Sequence, residues 1–214
     1  MGPTEQIMES EGAVRQRLLT AALELFTRKG YAATTVREIV AAAGVSKPVL
    51  YYYFKNKEGI YLELMTGTLT LFQEILAGLA ETKGTACERI LRFAAMIFDA
   101  FVDNIEVMHL IFAIFFGPPQ GAPQFPNNQY FTTMLEVVAG LVTEGVTAGE
   151  FRQVDTGDAA WAVVSCLNTV LEEQLGLCHT PPRVDRARLM VLLDLILGGL
   201  AERGVLGEEE GLMR

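Results

Sequence analysis

Apolar positions along this chain follow the spacing of helix faces, and clusters of glycine and proline cut them into segments of helical length; no convincing strand pattern appears. After a first helix and two short ones near the N-terminus, the pattern predicts a fourth helix from about Lys57 to Ala80, a fifth from Ala86 to Asp103 and a sixth from Ile105 to Phe116. A seventh is expected from Phe125 to Thr147, an eighth from Asp158 to Gly176 and a ninth from Val184 to Arg203. Lys83-Gly84, the run from Gly117 to Pro123, the stretch from Gly145 to Asp158 and Pro181-Pro182 mark the breaks. No internal repeat is evident, and the expected fold is all-α, with about nine helices.

The eighth and ninth predicted helices are more apolar than one face requires. Trp161, Val163, Val164, Cys166, Leu167, Val170, Leu171 and Leu175 leave the eighth little polar surface, and Leu189, Leu192, Leu193, Ile196, Leu197 and Leu200 cover more than one side of the ninth. Either the pair is buried inside a monomer or a second chain covers the surplus. The interface set is Trp161, Val164, Leu167, Leu171, Leu189, Leu193, Ile196 and Leu200; Gly198 and Gly199 either permit close helix approach or mark a fraying helix end.

The segment Thr35 to Lys57 is divided differently, into two short helices and a tight turn. Thr35 and Glu38 have the spacing of a capping box, and Ile39, Val40 and Ala43 supply the apolar side of the helix it starts. Ala43-Gly44-Val45 makes the turn; Ser46 is placed to cap a second helix with Pro48 in its first turn. Leu50 and Phe54 share the face that packs inward, which leaves Lys47, Pro48, Val49, Tyr51 and Tyr52 to project elsewhere. Lysine donates to guanine acceptors, valine and proline contact a thymine methyl, and tyrosine hydroxyls reach phosphate. The DNA-binding set is Thr35, Arg37, Ser46, Lys47, Pro48, Val49, Tyr51, Tyr52, Lys55 and Lys57, the last two as phosphate cations past the reading helix. A helix-turn-helix is the motif these spacings describe.

Leu18 to Leu64, RLLTAALELFTRKGYAATTVREIVAAAGVSKPVLYYYFKNKEGIYLEL from Arg17 on, resembles the DNA-binding domain of TetR-family transcriptional regulators. Gly30, Tyr31, Thr35 and the run from Ala43 to Lys57 carry the likeness. Pro48 departs from the small residue usual there, Tyr53 from the usual histidine, and Val49 from a hydrogen-bonding residue. Base reading by hydrogen bonds then falls on Lys47 and Arg37. A looser GEF-R-x-x-D segment, Gly149 to Asp155, matches the segment that in such proteins joins the ligand domain to the dimer helices. The resemblance implies a three-helix DNA-binding domain at 12–56 and a larger helical effector-binding and dimerisation domain at 57–206. It also implies a homodimer built on a four-helix bundle, a palindromic operator in double-stranded DNA, and the helix from Lys57 as the lever between head and body.

Charge fits that division. The chain carries a net −9, yet from Val14 to Ile60 there are eight cations against three anions, and from Tyr61 onward nine against twenty. A basic head on an acidic body approaches DNA head first. The chain is long enough and apolar enough for a substantial core, without the basic n-region of a secretory leader or an apolar run of bilayer length, so a cytoplasmic protein is expected.

The body is rich in aromatic and methionine side chains, and the resemblance implies an apolar or aromatic small-molecule effector there. Candidate contacts are Met65, Phe72, Phe93, Met96, Phe101, Met108, His109, Phe112, Phe116, Tyr130, Met134 and Glu173, with Asn104 and Gln129 as further polar groups. Stripes of this kind also serve as plain core, and a TetR-like regulator controlled by a protein partner is the other reading. No HExxH, GxSxG or phosphate loop is present, so an enzyme is not expected, nor a cofactor or metal. Cys87, Cys166 and Cys178 are too scattered for a disulfide framework, and Cys178-His179 alone is a weak metal pair.

Overall fold

The computed structural model describes residues 3–126, 128–176 and 181–201. Among these the chain forms nine helices: α1 (Pro3–Lys29), α2 (Val36–Ala43), α3 (Lys47–Phe54), α4 (Lys57–Ala80), α5 (Ala86–Asp103), α6 (Ile105–Phe115), α7 (Asn128–Thr147), α8 (Thr156–Gln174) and α9 (Arg186–Leu200). The described residues hold no strand beyond one isolated bridge between Phe151 and Ala201.

The fourth and fifth helices coincide with the expected bounds, and the departures elsewhere have local causes. Phe125 was expected to open the seventh helix, but Pro126 disfavours helical backbone before it, and Phe125 instead packs against the core of the N-terminal unit. α8 starts two residues before Asp158 because Asp155 is the cap, its Oδ1 accepting the Asp158 N–H at 2.9 Å. Asp185 does the same for α9, accepting the Arg188 N–H at 2.8 Å, which places Val184 outside the helix. α6 ends one residue short, at Phe115. Arg203, the expected end of the ninth helix, and the pair Cys178-His179 lie outside the described residues.

The chain divides into two compact units, one of Met1–Gln73 and Asp103–Pro126, the other of Glu74–Val102 and Asn127–Arg214. In the first, α1 packs on α2 and α6, and α2 on α3. Its core joins Leu18, Ala22 and Phe26 of α1 to Ile39, Val40 and Ala43 of α2, Leu50 and Phe54 of α3, Ile60, Tyr61 and Met65 of α4, and Leu110 and Ile111 of α6. The first compact unit takes in α4 as far as Gln73 and all of α6.

In the second unit α8 packs on both α7 and α9. The GEF-R segment is its tie. Glu150 caps α5, accepting the N–H groups of Ala86 at 2.7 Å and Cys87 at 2.8 Å. Phe151 is buried, and Arg152 closes the end of α9, its backbone N–H donating to Leu200 O at 2.9 Å and its Nε to Gly199 O at 3.2 Å. The Glu150 and Phe151 N–H groups also donate to Gly145 O at the end of α7, at 2.9 and 3.1 Å, so orphaned helix-end groups of α5, α7 and α9 are satisfied by three consecutive residues.

Candidate nucleic-acid interface

α2 is short, and its start is fixed by side chains. Thr35 N–H donates to Glu38 Oε2 at 2.9 Å, the Thr35 hydroxyl donates to the same oxygen at 2.8 Å, and Glu38 N–H returns to the Thr35 hydroxyl at 3.3 Å. The Lys29 ammonium donates to Glu38 Oε1 at 2.5 Å. That ammonium, with Thr35 behind it, holds the Glu38 carboxyl down at about 2. The expected capping box therefore forms, strengthened by a cation from α1 that sequence spacing did not reveal.

Gly44 ends α2 with φ 65°, ψ 38°, a left-handed conformation that costs glycine nothing. Val45 N–H donates to Val40 O at 3.0 Å, closing the turn before α3. Ser46 occupies the N-cap position, but its hydroxyl makes no capping bond, contrary to expectation. Pro48, the second helical residue, removes one of the two donors a cap would use; the other, Val49 N–H, donates to Ser46 O at 3.1 Å. The Ser46 side chain is exposed.

Within α3, Leu50 and Phe54 are buried as expected, and Lys47, Pro48, Tyr51 and Tyr52 are exposed, Tyr52 at 73%. Val49 is half-buried against the core. Tyr53, beneath, meets Tyr52 edge to face at 5.0 Å. Arg37 of α2 and Lys55 are also exposed. These side chains share one small head and project from two successive short helices and the turn between them.

The corner after α3 is tight. Lys55 takes φ 63° with its N–H donating to Tyr51 O at 3.1 Å, and Asn56 Oδ1 accepts the Gly59 N–H at 2.8 Å to cap α4. Lys57 is set apart from the other predicted DNA contacts. Its Nζ donates to Tyr31 O at 2.8 Å and Thr34 O at 3.0 Å and lies 4.1 Å from the Tyr31 ring centroid. Burial pushes the Lys57 ammonium below its usual value. Tyr31 N–H is in turn bonded by Gln120 Oε1 at 2.8 Å, while Gln120 Nε2 donates to Ala113 O at 3.1 Å. Gln120 has no signal in its sequence context beyond being polar in a glycine- and proline-rich loop.

The predicted effector residues fall into both units. Met65, Phe72, Met108, His109, Phe112 and Phe116 belong to the first; Phe93, Met96, Phe101, Tyr130, Met134 and Glu173 to the second. Met65 is part of the head's own core, and His109 Nδ1 is 2.9 Å from Ile105 O, one helical turn back. Phe112 and Phe116 stack at 5.0 Å, with Phe116 74% exposed. In the second unit Phe93, Phe101 and Met134 are buried and Met96 and Tyr130 half-buried; Glu173 Oε1 accepts the Arg183 N–H at 3.1 Å.

Among the predicted interface residues, Val164, Leu167, Leu171, Leu189 and Leu193 are buried inside their own unit, consistent with α8 packing on two neighbours. Ile196 and Leu200 are half-buried, and Trp161 is exposed beside Phe131 at 5.1 Å. The exposed apolar surface of α9 is instead Val191 and Leu195, one helical turn apart, with Gly198 and Gly199 following. Cys87 and Cys166 are free, and burial pushes both thiols up, which keeps them protonated. Among the described residues there is no cluster that could hold a metal ion and no helix long and apolar enough to cross a membrane.

Comparison with known proteins matches two stretches of the chain. Residues 18–64 match the family described as bacterial regulatory proteins, tetR family, and residues 86–189 match the tetracyclin repressor-like C-terminal domain. The HTH-type transcriptional repressor KstR2 of Rhodococcus jostii is 28% identical over 169 residues, 70% of this chain and 78% of that protein. The fatty acid metabolism regulator protein of Bacillus subtilis is 25% identical over 137 residues, 64% of this chain and 70% of its own. A crystal structure of the regulator PfmR from Thermus thermophilus superposes with a TM-score of 0.63 at 31% identity, covering 89% of this chain and 98% of that one.

Proposed function

Since the chain belongs to the TetR family and is a DNA-binding transcriptional regulator, we propose that it acts as a homodimeric repressor that reads a palindromic operator through α3 and is released by an apolar or aromatic small molecule. The observation that carries the reading is the division of α3: Leu50 and Phe54 are buried while Lys47, Pro48, Tyr51 and Tyr52 stand free on a head with eight cations against three anions. Lys47 and Arg37 donate to base edges, Pro48 and Val49 meet a thymine methyl, and Tyr51, Tyr52, Lys55 and the uncommitted Ser46 hydroxyl engage phosphate, with Thr35 holding the start of α2. Repression is supported by the Rhodococcus relative, a transcriptional repressor.

One eight-residue reading helix makes too few contacts for an operator, and a twofold dimer presents two, about 34–36 Å apart or a multiple of that. Trp161 on α8 and Val191 and Leu195 on α9 supply the self-complementary surface, since the deeper leucines are already used inside the protomer. Aromatic and methionine side chains of the second unit, Phe93, Met96, Phe101, Tyr130 and Met134, receive the effector. Release requires only that the effector favour the state with displaced heads by a few kcal/mol, and DNA must then weaken effector binding by the same factor.

The test is a mobility shift of the purified protein on the DNA upstream of its own gene, at fixed salt, with and without a panel of apolar and aromatic compounds. Specific binding abolished by one compound is the expected result. Specific binding that no compound alters transfers control to a protein partner, and equal effector affinity for free and DNA-bound dimer overturns the release mechanism.

A further inference from the structure

Lys57 stands where the motif expects a phosphate-binding cation, yet its ammonium points into the head. Two of its three donors are committed, to Tyr31 O at 2.8 Å and Thr34 O at 3.0 Å, and the Tyr31 ring lies 4.1 Å away. Reaching a phosphate would break both charge-assisted bonds and leave those carbonyls without this partner. Lys55, two residues earlier, is exposed, whereas Lys57 is half-buried.

We propose that Lys57 is a positioning residue for DNA binding, which clamps the turn from Tyr31 to Thr34 onto the first residue of α4 and thereby sets the start of α2. This rests on the operator-reading function above. Thr34, whose carbonyl Lys57 holds, immediately precedes the N-cap Thr35, and Arg37 follows two residues later. The same turn is fixed on its other sides. Gln120 takes the Tyr31 N–H at 2.8 Å, the Tyr31 ring meets Phe26 and Tyr61 at 5.2 Å each, and the Thr34 hydroxyl donates to Leu25 O at 3.2 Å and Gly30 O at 2.9 Å. The turn is thus held from several directions; α4 reaches it through the Tyr61 ring and through Lys57, and Lys57 is the α4 residue whose side chain bonds its backbone carbonyls. Reading residues must be held to about half an ångström, so loss of the clamp weakens every contact made from α2 without removing a charge from the DNA surface.

The clamp and the phosphate contact differ in salt dependence. A phosphate contact contributes about 0.9 to the slope of log affinity against log salt, and a positioning residue contributes nothing. The experiment uses the full-length protein and a duplex that the wild type selects from a random library. Lys57→Met and Lys55→Met are compared for dissociation constant across salt, for active fraction by stoichiometric titration, and for melting temperature. Lys57→Met is expected to weaken binding about tenfold or more with the wild-type slope and active fraction, whereas Lys55→Met lowers the slope by about one. A slope reduced in Lys57→Met overturns the proposal in favour of a phosphate contact. A reduced active fraction at unchanged affinity overturns it in favour of a purely structural role.

Limited acetylation of the wild type, read by mass spectrometry with and without the duplex, tests the clamp even where Lys57→Met does not fold. Lys57 should react slowly in the free protein and be indifferent to DNA, while Lys47 and Lys55 react readily and become protected. Lys57 as reactive as Lys55 and protected by DNA overturns the clamp. Recovery of no preferred duplex by the wild type counts against operator reading itself, and the reactivity of Lys57 in the free protein then judges the clamp separately.

Discussion

Gly59 stands so close to the end of α3 that a β-carbon built on it would lie 2.0 Å from the carbonyl oxygen of Phe54. The obstacle is backbone, which cannot rotate away as a side chain would. Gly59→Ala must therefore open the corner between α3 and α4, at a cost of about 1–3 kcal/mol or more. Urea unfolding should show the loss, and operator affinity should fall with it because α3 is re-aimed. A variant as stable as the wild type would mean that the corner is free to open.

Thr35 and Ser46 hold equivalent N-cap positions on successive helices but only Thr35 bonds with its side chain. Thr35→Ala should cost roughly 1 kcal/mol of stability. Ser46→Ala should stay within about 0.5 kcal/mol in stability while still weakening operator binding. Equal losses of stability in the two variants would refute the assignment of the Ser46 hydroxyl to DNA.

The Glu38 carboxyl sits at about 2, against 4.5 for an ordinary one, because of Lys29 first and Thr35 second. A depressed carboxyl adds stability that is complete above about 4.5 and lost as pH falls toward 2, since the unfolded chain takes up the proton first. Thermal melts of wild type and Glu38→Gln should differ at pH 7 and converge as pH approaches 2. Parallel melting curves across that window would show that Glu38 is not the group responsible.

Leu195 and Leu193 are two residues apart on α9 with opposite environments, one 69% exposed and the other fully buried. Leu195→Glu should halve the molar mass measured by light scattering and leave helical content intact. Leu193→Ala should cost about 2–5 kcal/mol through the cavity it leaves. Retention of the dimer in Leu195→Glu together with Val191→Glu would move the interface elsewhere.

Helices and their breaks were readable because glycine, proline and capping pairs act within a few residues: Gly44 takes the left-handed turn, and Thr35 with Glu38 forms its box. The inward face of α3 was readable for the same reason, since Leu50 and Phe54 are one turn apart. What was not readable depends on partners distant in sequence. The acceptors of Lys57 lie 26 and 23 residues away, so spacing grouped it with Lys55. Apolar content pointed to a surplus on α8 and α9, but α8 is covered by helices on two sides, and which of Leu193 and Leu195 is buried depends on how α9 packs on α8. Gly59 carried a faint sign, a poor helix former placed in a helical first turn. Gln120 carried none.

The carboxylate that caps α5 is supplied by Glu150, 64 residues downstream of the first amide it accepts. On a ribosome adding roughly 5–20 residues per second, α5 is complete about 2–9 seconds before its cap has been made. During that interval its first turn depends on the nearby Thr85 and Glu88, which bond each other's N–H groups at 3.0 and 3.2 Å. The chain thus gives α5 a provisional start that needs nothing not yet synthesised, and a permanent one only when Glu150 emerges.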